Sequence, residues 1–263
     1  MDDLALLKPK LIRLKLSGML DSLEERLSQA VRGKWSHTRL ISQLFADEVE
    51  RRDGKNLTRR ITKSGLDPAR SLEVFDFTFN PKIPETAIRE LSTCLFIARK
   101  ENVFLLGPSG VGKSHLAQGL GNAACRKGYD VIFERTDTLL KHIQNGIGDG
   151  TRDKRLLAVA RCPLLILDDF GLLPIDTGCQ TTLYELISAR YEKTATIITS
   201  NRNFDEWMSV FANSIMASAA MDRLVHRANK IVIEGPSYRI DAFGKRHRKS
   251  TKELDKKASL RTQ

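Results

Sequence analysis

The stretch that decides the fold is Gly107-Pro108-Ser109-Gly110-Val111-Gly112-Lys113-Ser114, which fits the phosphate-binding loop pattern G-x-x-x-x-G-K-[ST] at every fixed position. The apolar residues at 103–106 predict a short buried strand before it, and residues 115–127 predict a helix after it. Backbone N–H groups of such a loop surround phosphate, helped by the positive end of the helix. Lys113 is expected to reach the β- and γ-phosphates, and Ser114 is expected to hold Mg²⁺.

A second motif, Leu164-Leu165-Ile166-Leu167-Asp168-Asp169, combines a buried strand with two acids at its C-terminal end. Ligands of open α/β sheets bind at that edge. Asp168 is expected to hold Mg²⁺ together with Ser114, and Asp169 to orient or deprotonate the attacking water. The alternative is a strand that runs into an acidic turn. The position of the pair, 55 residues after Lys113, favours a nucleotide site.

Length and composition narrow the class of protein. The 263 residues are enough for one large domain and a small one. No apolar run approaches the roughly 18–20 residues of a membrane span, and the N-terminus lacks the apolar core of a signal peptide. The four cysteines are scattered without a C-x-x-C pair, which predicts reduced thiols rather than disulfides or structural zinc. We therefore expect a cytoplasmic protein without a membrane partner.

Charge is distributed unevenly along the chain, whose formal net charge is +11. Residues 1–70 carry 15 Lys and Arg against 10 Asp and Glu, residues 71–238 carry 19 of each kind, and residues 239–263 carry 9 against 3. Two basic flanks around a neutral centre indicate a polyanion partner, most often nucleic acid. Solubility alone does not require one sign of charge at both ends.

The helical spacing and basic charge of residues 1–66 predict a small all-helical domain for DNA binding and assembly. Leucines at helical spacing predict one helix over 11–31 and a second amphipathic helix around 40–49. A third, short helix is expected over 55–64, because Gly54 could interrupt the second one.

Four basic residues, Arg51, Lys55, Arg59 and Lys63, are spaced four apart in this domain. On a continuous helix they would form one basic stripe. Two interpretations stay open. The stripe either contacts the phosphates of DNA or is an ordinary solvated helix face.

The remaining chain divides into a linker at 67–84, an ATPase-like domain at 85–238 and a basic tail at 239–263 that is expected to be disordered until bound. The linker contains Phe75, Phe77 and Phe79, which need burial and are expected to pack on the core near the nucleotide. Strands are predicted at 103–106, 130–134, 163–168, 195–199 and 230–234. Helices are predicted at 85–100, 137–145, 152–161, 179–192 and 203–212. This alternation implies a parallel sheet covered on both faces.

Two further features extend the nucleotide site. Asn201 follows a buried strand, where its side chain could hold the attacking water; an Asn that starts a turn is the alternative. Arg223 and Arg227 are one helical turn apart, so either could project towards a neighbour's γ-phosphate. An exposed surface arginine is the alternative for both.

These motifs resemble those of AAA+ ATPases of the initiator and helicase-loader branch. More narrowly, the chain resembles the IstB family, ATP-dependent helper proteins that insertion sequences encode beside their transposase. The phosphate loop specifies only the superfamily, whereas the late segments favour this family. The resemblance covers about residues 1–240, and it rests on Gly107–Ala117, Leu165-Ile166-Leu167-Asp168-Asp169-Phe170-Gly171, Thr199-Ser200-Asn201, Asp222-Arg223-Leu224-Val225-His226 and Gly235-Pro236-Ser237-Tyr238-Arg239.

The resemblance implies an α/β fold, in which a P-loop AAA+ core with a five-stranded parallel sheet between helices follows a small all-helical N-terminal domain. No sizeable C-terminal lid is expected. ATP would contact the loop from Gly107 to Ser114 and the next residue, His115. Ser114 and Asp168 would hold Mg²⁺.

The resemblance also implies roles for single residues. Asp169 stands where many AAA+ proteins have Glu, and a shorter acid places its oxygen differently. Asn201 matches the sensor position. Arg223 matches the arginine finger, which acts in trans and implies homo-oligomers with ATP at their interfaces. Two interpretations of Arg239 stay open. It either substitutes for the second sensor, which is expected to be absent together with the lid, or contacts DNA.

Three functions are compatible with these features. The leading hypothesis is an ATPase that assembles on duplex DNA through its N-terminal helices and core loops, deforms the DNA and presents it to a cognate transposase. The alternative is a replicative helicase loader of the DnaC type, which would bind single-stranded DNA. The third is a small-molecule kinase. It is disfavoured by the strand that ends at Asn201, by Arg223 and Arg227, and by the two basic flanks.

Overall fold

The computed structural model describes residues 3–173 and 175–241. The chain divides into two compact units, one up to Arg60 and one from Ile61 onwards. Each unit has its own hydrophobic core and is described separately. Of the predicted basic tail, residues 242–263 lie outside the described residues.

The first unit is helical, as predicted, but its helices differ from the expected ones. They are α1 (Asp3–Arg13), α2 (Ser17–Arg32) and α3 (His37–Ser64), the last of which continues past the unit boundary. The single helix predicted over 11–31 is wrong, because the chain turns between α1 and α2, where Lys15 has a φ of 56°.

The predicted break at Gly54 is also wrong, since α3 is one helix of 28 residues. Gly54 is exposed, and a side chain placed there would meet nothing within 4 Å. A glycine in a helix interior costs about 1 kcal/mol relative to alanine, which is too little to end so long a helix. The second and third predicted helices are therefore one.

The start of α2 is held by an acid from α3. The carboxylate of Glu48 accepts hydrogen bonds from the backbone N–H groups of Gly18 at 2.6 Å and Met19 at 3.3 Å, so it caps the helix. Burial raises the pKa of Glu48, but hydrogen bonds from Arg52, Gly18 and Met19 outweigh burial and leave it below its ordinary value. A Cβ on Gly18 would lie 2.7 Å from the Glu48 Cα, so the two helices cross in close contact there.

The core of the first unit is small and consists of leucines and a methionine. Leu11, Met19 and Leu23 are buried, and they pack against half-buried side chains of the same unit, Leu4, Leu16, Leu20, Leu27 and Leu44. Arg26 and Asp47 join α2 to α3 beside this core through two hydrogen bonds of 2.8 and 2.7 Å. The unit is thus held by a few apolar contacts together with polar contacts between helices.

The second unit contains the predicted five-stranded parallel sheet, with strand order β2-β3-β4-β1-β5. Its strands are β1 (Asn102–Leu106), β2 (Val131–Arg135), β3 (Leu164–Asp168), β4 (Ala195–Ser200) and β5 (Ala228–Val232). All residues of β3 and β4 are buried, as expected for strands covered on both faces.

Helices surround this sheet: α4 (Glu85–Leu91), α5 (Leu95–Ala98), α6 (Lys113–Arg126), α7 (Thr136–Gln144), α8 (Arg152–Arg161), α9 (Thr177–Arg190) and α10 (Ser214–Val225). The helix predicted over 85–100 is two short helices, separated at Cys94, whose φ is 63°. The helix predicted over 203–212 is a 3₁₀ helix, Phe204–Val210. The remaining predicted helices and strands occur within two residues of their expected bounds.

Candidate functional site

The phosphate loop lies between β1 and α6, and two of its glycines closely approach the chain that follows β5. Gly107 has a φ of 147°, and a Cβ there would lie 2.0 Å from the carbonyl oxygen of Ile233. Gly110 has a φ of 86°, and its Cβ would lie 2.1 Å from the Oγ of Ser237. Both positions therefore require glycine. The loop leads into the N-terminus of α6, where free backbone N–H groups favour an anion.

Lys113 is buried at this N-terminus, and its ammonium group is turned onto its own loop. The Nζ donates to the carbonyl oxygens of Gly107 and Pro108, both at 2.8 Å. Burial lowers the pKa of Lys113, and the nearby carboxylates of Asp169 and Asp168 oppose that shift. The loop lysine and the acid pair thus belong to one site.

Asp168 ends β3 at the carboxyl-terminal edge of the sheet, and Asp169 follows it directly. Asp168 is buried and accepts a hydrogen bond from the hydroxyl of Thr199 on β4. Asp169 has a left-handed backbone with a φ of 55°, and its N–H donates to the same hydroxyl at 3.1 Å. Burial, followed by repulsion from Asp168, raises the pKa of Asp169. A carboxylate with a raised pKa is suited to accept a proton.

Three cations act on Asp169 and oppose this rise in its pKa: Arg135, Lys113 and Arg239. Arg135 ends β2 directly beside Asp168 in the sheet register, and it pairs with Asp137 at 3.3 Å. Arg239 is exposed, yet its charge lowers the pKa of both Asp169 and Lys113. Arg239 therefore lies on the side of the phosphate loop and the acids.

The segment that precedes α4 is fixed along α6. The backbone N–H of Asp67 donates to the side chain of Gln118 at 3.0 Å, and Asn122 donates to the carbonyl oxygen of Asp67 at 3.0 Å. The Nε2 of His115 lies 3.1 Å from the carbonyl oxygen of Ser71. His115, which was predicted to contact ATP, is thus also a structural contact of this segment.

The phenylalanines of this segment are half-buried, and Phe75 packs against the phosphate loop. A Cβ on Gly112 would lie 2.9 Å from the Phe75 ring, and the same ring meets His115 edge to face at 5.1 Å between centroids. Phe79 meets Tyr238 in the same manner at 5.0 Å. This packing agrees with the expectation that the aromatic cluster lies on the core beside the phosphate loop.

The chain after β5 covers the other side of the loop. The backbone N–H of Tyr238 donates to the carbonyl oxygen of Gly110 at 3.0 Å. Asn80 donates to the carbonyl oxygen of Glu234 at 2.7 Å, which joins this segment to the one before α4. The phosphate loop is therefore enclosed by two segments distant in sequence.

Asn201 and Ser114 lie at the predicted elements, the end of β4 and the start of α6. Asn201 follows the last residue of β4 and is exposed at the same sheet edge as the acids. Ser114 is half-buried in the first turn of α6. With the carboxylate of Asp168 it provides two oxygen donors, the ligand type that Mg²⁺ prefers while retaining several waters. Among the described residues no group of three His, Cys, Asp or Glu could hold a metal, and such a group is not needed for Mg²⁺.

The structure does not bring Arg223 to its own phosphate loop. Arg223 is half-buried near the end of α10, where it donates to the carbonyl oxygen of Ala219 at 2.8 Å and lies 5.4 Å from the Tyr184 ring centroid. Arg227 is exposed, and its carbonyl oxygen accepts from the N–H of Asn102 at the start of β1. Both arginines thus lie at the edge of the sheet opposite the acids.

The four basic residues predicted as a stripe lie on the uninterrupted helix α3. Lys55, Arg59 and Lys63 are exposed. Arg51 is half-buried and pairs with Asp21 at 3.3 Å. Arg51 therefore has a structural contact in the first unit, whereas the others extend into solvent.

Sequence reasoning missed several residues of the site. Thr199 belongs to a segment that carries the family resemblance, but a threonine inside an apolar strand gives no local signal that it contacts Asp168 and Asp169. Arg135 could have been found, because it ends the strand that precedes the acid strand along the chain. The contact of Tyr238 with Gly110 depends on the tertiary fold, and no local pattern reports it.

Comparison with known proteins adds the family. The model of the family described as IstB-like ATP binding protein matches residues 9–248. The chain belongs to this family. This agrees with the resemblance derived from the phosphate loop, the acid strand and the late Asp-Arg-Leu and Ser-Tyr-Arg segments.

Relatives of this IstB-like chain come from insertion sequences. A protein of Mycobacterium tuberculosis, described as an insertion-sequence ATP-binding protein, is 39% identical over 234 residues, which cover 89% of this chain and 93% of the relative. A protein of Pseudomonas aeruginosa, described as an ATP-binding protein of insertion sequence IS21, is 34% identical over 88% of this chain and 87% of its own length.

Solved structures with the same fold include replication proteins. The structure of DnaI has a TM-score of 0.55 at 21% identity and covers 65% of this chain and 95% of that protein. AMPPCP-bound DnaA from Aquifex aeolicus has a TM-score of 0.54 at 22% identity, over 65% of this chain and 51% of that one. At these identities the likeness supports the P-loop AAA+ fold alone. No helix among the described residues is long and apolar enough to cross a membrane.

Proposed function

We propose that this IstB-like chain is a Mg²⁺-dependent ATPase that assembles on duplex DNA and assists a transposase in selecting where DNA is inserted. The observation that carries the proposal is that the phosphate loop and two acids meet at one sheet edge. The N–H of Gly107 donates to the carbonyl oxygen of Ser200 at 3.1 Å, and the preceding residue, Thr199, contacts the carboxylate of Asp168 and the N–H of Asp169. This arrangement is suited to the cleavage of a nucleoside triphosphate. Family membership selects ATP as that nucleotide.

Lys113 would bind the phosphates by exchanging its present partners. Its ammonium group now donates to the carbonyl oxygens of Gly107 and Pro108, and phosphate oxygens carry more negative charge than carbonyls. Asp169 would orient the attacking water and accept its proton. Asn201 would hold that water at the tip of β4. Ser114 and Asp168 would hold Mg²⁺, which neutralises charge on the β- and γ-phosphates.

Hydrolysis would need a second protomer, because Arg223 and Arg227 lie at the sheet edge opposite the acids. A protomer that docks this edge against the phosphate loop of its neighbour would provide a cation to the γ-phosphate. ATP would then be bound between protomers, and its presence would control assembly. This proposal predicts homo-oligomers that form in the triphosphate state.

DNA binding is assigned to the exposed cations of α3. Lys55 and Arg59 project into solvent one turn apart, as phosphate contacts require. Contacts with phosphates alone do not distinguish one base from another, so we expect duplex binding with little sequence preference and strong salt dependence. Several protomers together could offset the bending of a short duplex, which costs on the order of 1–6 kcal/mol.

The role in transposition rests on the relatives, which are described as proteins of insertion sequences. A protein of this family would mark a DNA target for the transposase encoded beside it. The alternative is a helicase loader that binds single-stranded DNA. Likeness to DnaI favours that alternative only at the level of the fold.

Fluorescence anisotropy tests this choice. A labelled duplex of about 50 base pairs and the matching single strand are each titrated with protein plus ATP, a slowly hydrolysed ATP analogue or ADP. We expect tight, cooperative binding of the duplex in the triphosphate states only. Lys113→Ala is the control that should abolish the nucleotide effect. Preference for the single strand would move the function to helicase loading.

A further inference from the structure

We propose that Thr199 is a positioning residue that fixes the metal-holding carboxylate of Asp168. The inference rests on the proposed use of Mg²⁺ and ATP and adds a residue to that site. Thr199 is fully buried on β4, next to the acid strand β3. Its hydroxyl contacts the carboxylate of Asp168 and the backbone N–H of Asp169.

The direction of these hydrogen bonds is fixed by their partners. The N–H of Asp169 can only donate, so the Thr199 oxygen accepts that bond, whose length is 3.1 Å. The hydroxyl proton is then available for the Oδ1 of Asp168, with which the Thr199 oxygen makes a close contact. The Oδ2 of Asp168 stays outside this interaction. One carboxylate oxygen is thus held by β4, and Mg²⁺ is assigned to the other.

The backbone around the acids has separate support. The N–H of Phe170 donates to the carbonyl oxygen of Thr199 at 2.9 Å, and the hydroxyl of Thr136 donates to the carbonyl oxygen of Asp168 at 3.1 Å. The Ser200 hydroxyl donates to the Phe170 carbonyl oxygen at 2.8 Å. None of these bonds uses the Thr199 hydroxyl. Removing that hydroxyl should therefore leave the strand ends in place and free only the Asp168 carboxylate and the Asp169 N–H.

The same hydroxyl supports the turn that directs Asp169. Asp169 has a φ of 55°, a conformation that non-glycine residues adopt rarely and at a cost. Its N–H donates to the Thr199 hydroxyl, and removal of that hydroxyl would take this hydrogen bond away. Thr199 thus acts on the metal ligand through its proton and on the base through its lone pair.

A purely structural role predicts a different outcome. If Thr199 only satisfies a buried hydroxyl, its removal would lower stability and leave metal binding unchanged. Thr196 provides a matched control on the same strand. It is buried, and its hydroxyl accepts from the Nε of Arg190 at 3.1 Å without touching either acid.

The experiment compares wild type with Thr199→Val, Thr199→Ser and Thr196→Val. The readouts are the affinity for a fluorescent ATP analogue in EDTA, the Mg²⁺ concentration that gives half of the Mg²⁺-dependent change in binding, and the thermal midpoint without nucleotide. For Thr199→Val we expect the half-saturating Mg²⁺ concentration to rise about 10-fold to 100-fold, with unchanged affinity in EDTA. Thr199→Ser should restore the wild-type value. Thr196→Val should change only the thermal midpoint.

A double-mutant cycle tests whether Thr199 acts through Asp168. In an Asp168→Asn background, Thr199→Val should have no further effect on Mg²⁺ dependence. The inference is overturned if wild type responds to Mg²⁺ and Thr199→Val responds equally. If wild type binds the analogue without any response to Mg²⁺, the metal part of the proposed function fails together with the inference. If wild type binds no analogue, the nucleotide site itself is wrong.

Discussion

The side-chain amide of Asn102 donates a hydrogen bond to the carbonyl oxygen of Leu224 at 2.9 Å, which ties the end of α10 to the first residue of β1. Arg223 immediately precedes Leu224 and is therefore held at the amino-terminal edge of the sheet. The acids lie at the opposite edge, one strand length away, or roughly 13 Å for five residues. This position separates Arg223 from its own phosphate loop, so the proposed arginine finger would act on the nucleotide of a neighbouring protomer.

Arg223→Ala should leave ATP binding unchanged and slow hydrolysis by about 10³-fold or more, the effect of losing an arginine finger. Arg227→Ala, one turn away, tests the other candidate and should have a smaller effect. Mixing Arg223→Ala with Asp169→Asn protomers should recover part of the activity, since each protomer then supplies what its neighbour lacks. A mixture no more active than either variant alone would contradict action in trans.

Arg239 should act on nucleotide rather than on DNA, because its charge reaches both Lys113 and Asp169. Arg239→Ala should weaken ATP binding roughly 10-fold, the loss of one charge-assisted contact. Equilibrium binding of a fluorescent ATP analogue measures this effect. The salt dependence of duplex binding should stay as in wild type. A reduced salt slope with normal ATP affinity would instead assign Arg239 to DNA.

The exposed cations of α3 should contribute directly to duplex binding. Replacing both Lys55 and Arg59 by alanine should reduce the slope of log affinity against log salt concentration by about 2. Lys193→Ala removes an exposed lysine from the loop before β4 and is the control. The measurement is anisotropy at several salt concentrations with a slowly hydrolysed ATP analogue. An unchanged slope would favour the interpretation as an ordinary solvated helix face.

The contact between Arg26 and Asp47 should make the helical unit sensitive to acid. The Arg26 guanidinium holds the pKa of Asp47 well below its ordinary value. This stabilisation is present above the unfolded pKa, near 3.9, and is lost as the pH falls through the folded pKa. Asp47→Asn should therefore lower the free energy of unfolding by about 1 kcal/mol at neutral pH, and the difference should shrink below about pH 4.

Urea unfolding followed by circular dichroism measures this difference. Asp21→Asn is the control, since the Asp21 side chain is 64% exposed beside Arg51 and an exposed pair contributes little. Equal losses for the two variants would contradict the assignment of stability to the Arg26 contact.

The sequence was sufficient for the sheet and for the placement of the phosphate loop and the two acids at its carboxyl-terminal edge. Apolar runs that end in Gly107 and in Asp168 mark both the strands and their functional edge, because parallel strands of one sheet present their C-terminal ends together. Helix boundaries in the first unit were harder to predict. Gly54 does not end a helix, whereas the chain turns at Lys15 without a glycine or proline at that position.

Contacts between segments that are distant in the sequence could not be predicted from local patterns. Glu48 caps a helix 30 residues earlier in the chain, Thr199 reaches acids on another strand, and Tyr238 binds the phosphate loop from the far end of the domain. Each depends on which segments become neighbours in space. Local propensity and periodicity carry no information on that choice.

The most direct test of the account counts protomers on DNA. Mass photometry of a duplex of about 50 base pairs with the protein would be recorded in ADP and in a slowly hydrolysed ATP analogue. We expect complexes of several protomers in the analogue and none in ADP, and Lys113→Ala should abolish these complexes. The same number of protomers in both nucleotides, or a single protomer on DNA in the analogue, would contradict the claim that ATP drives assembly on duplex DNA.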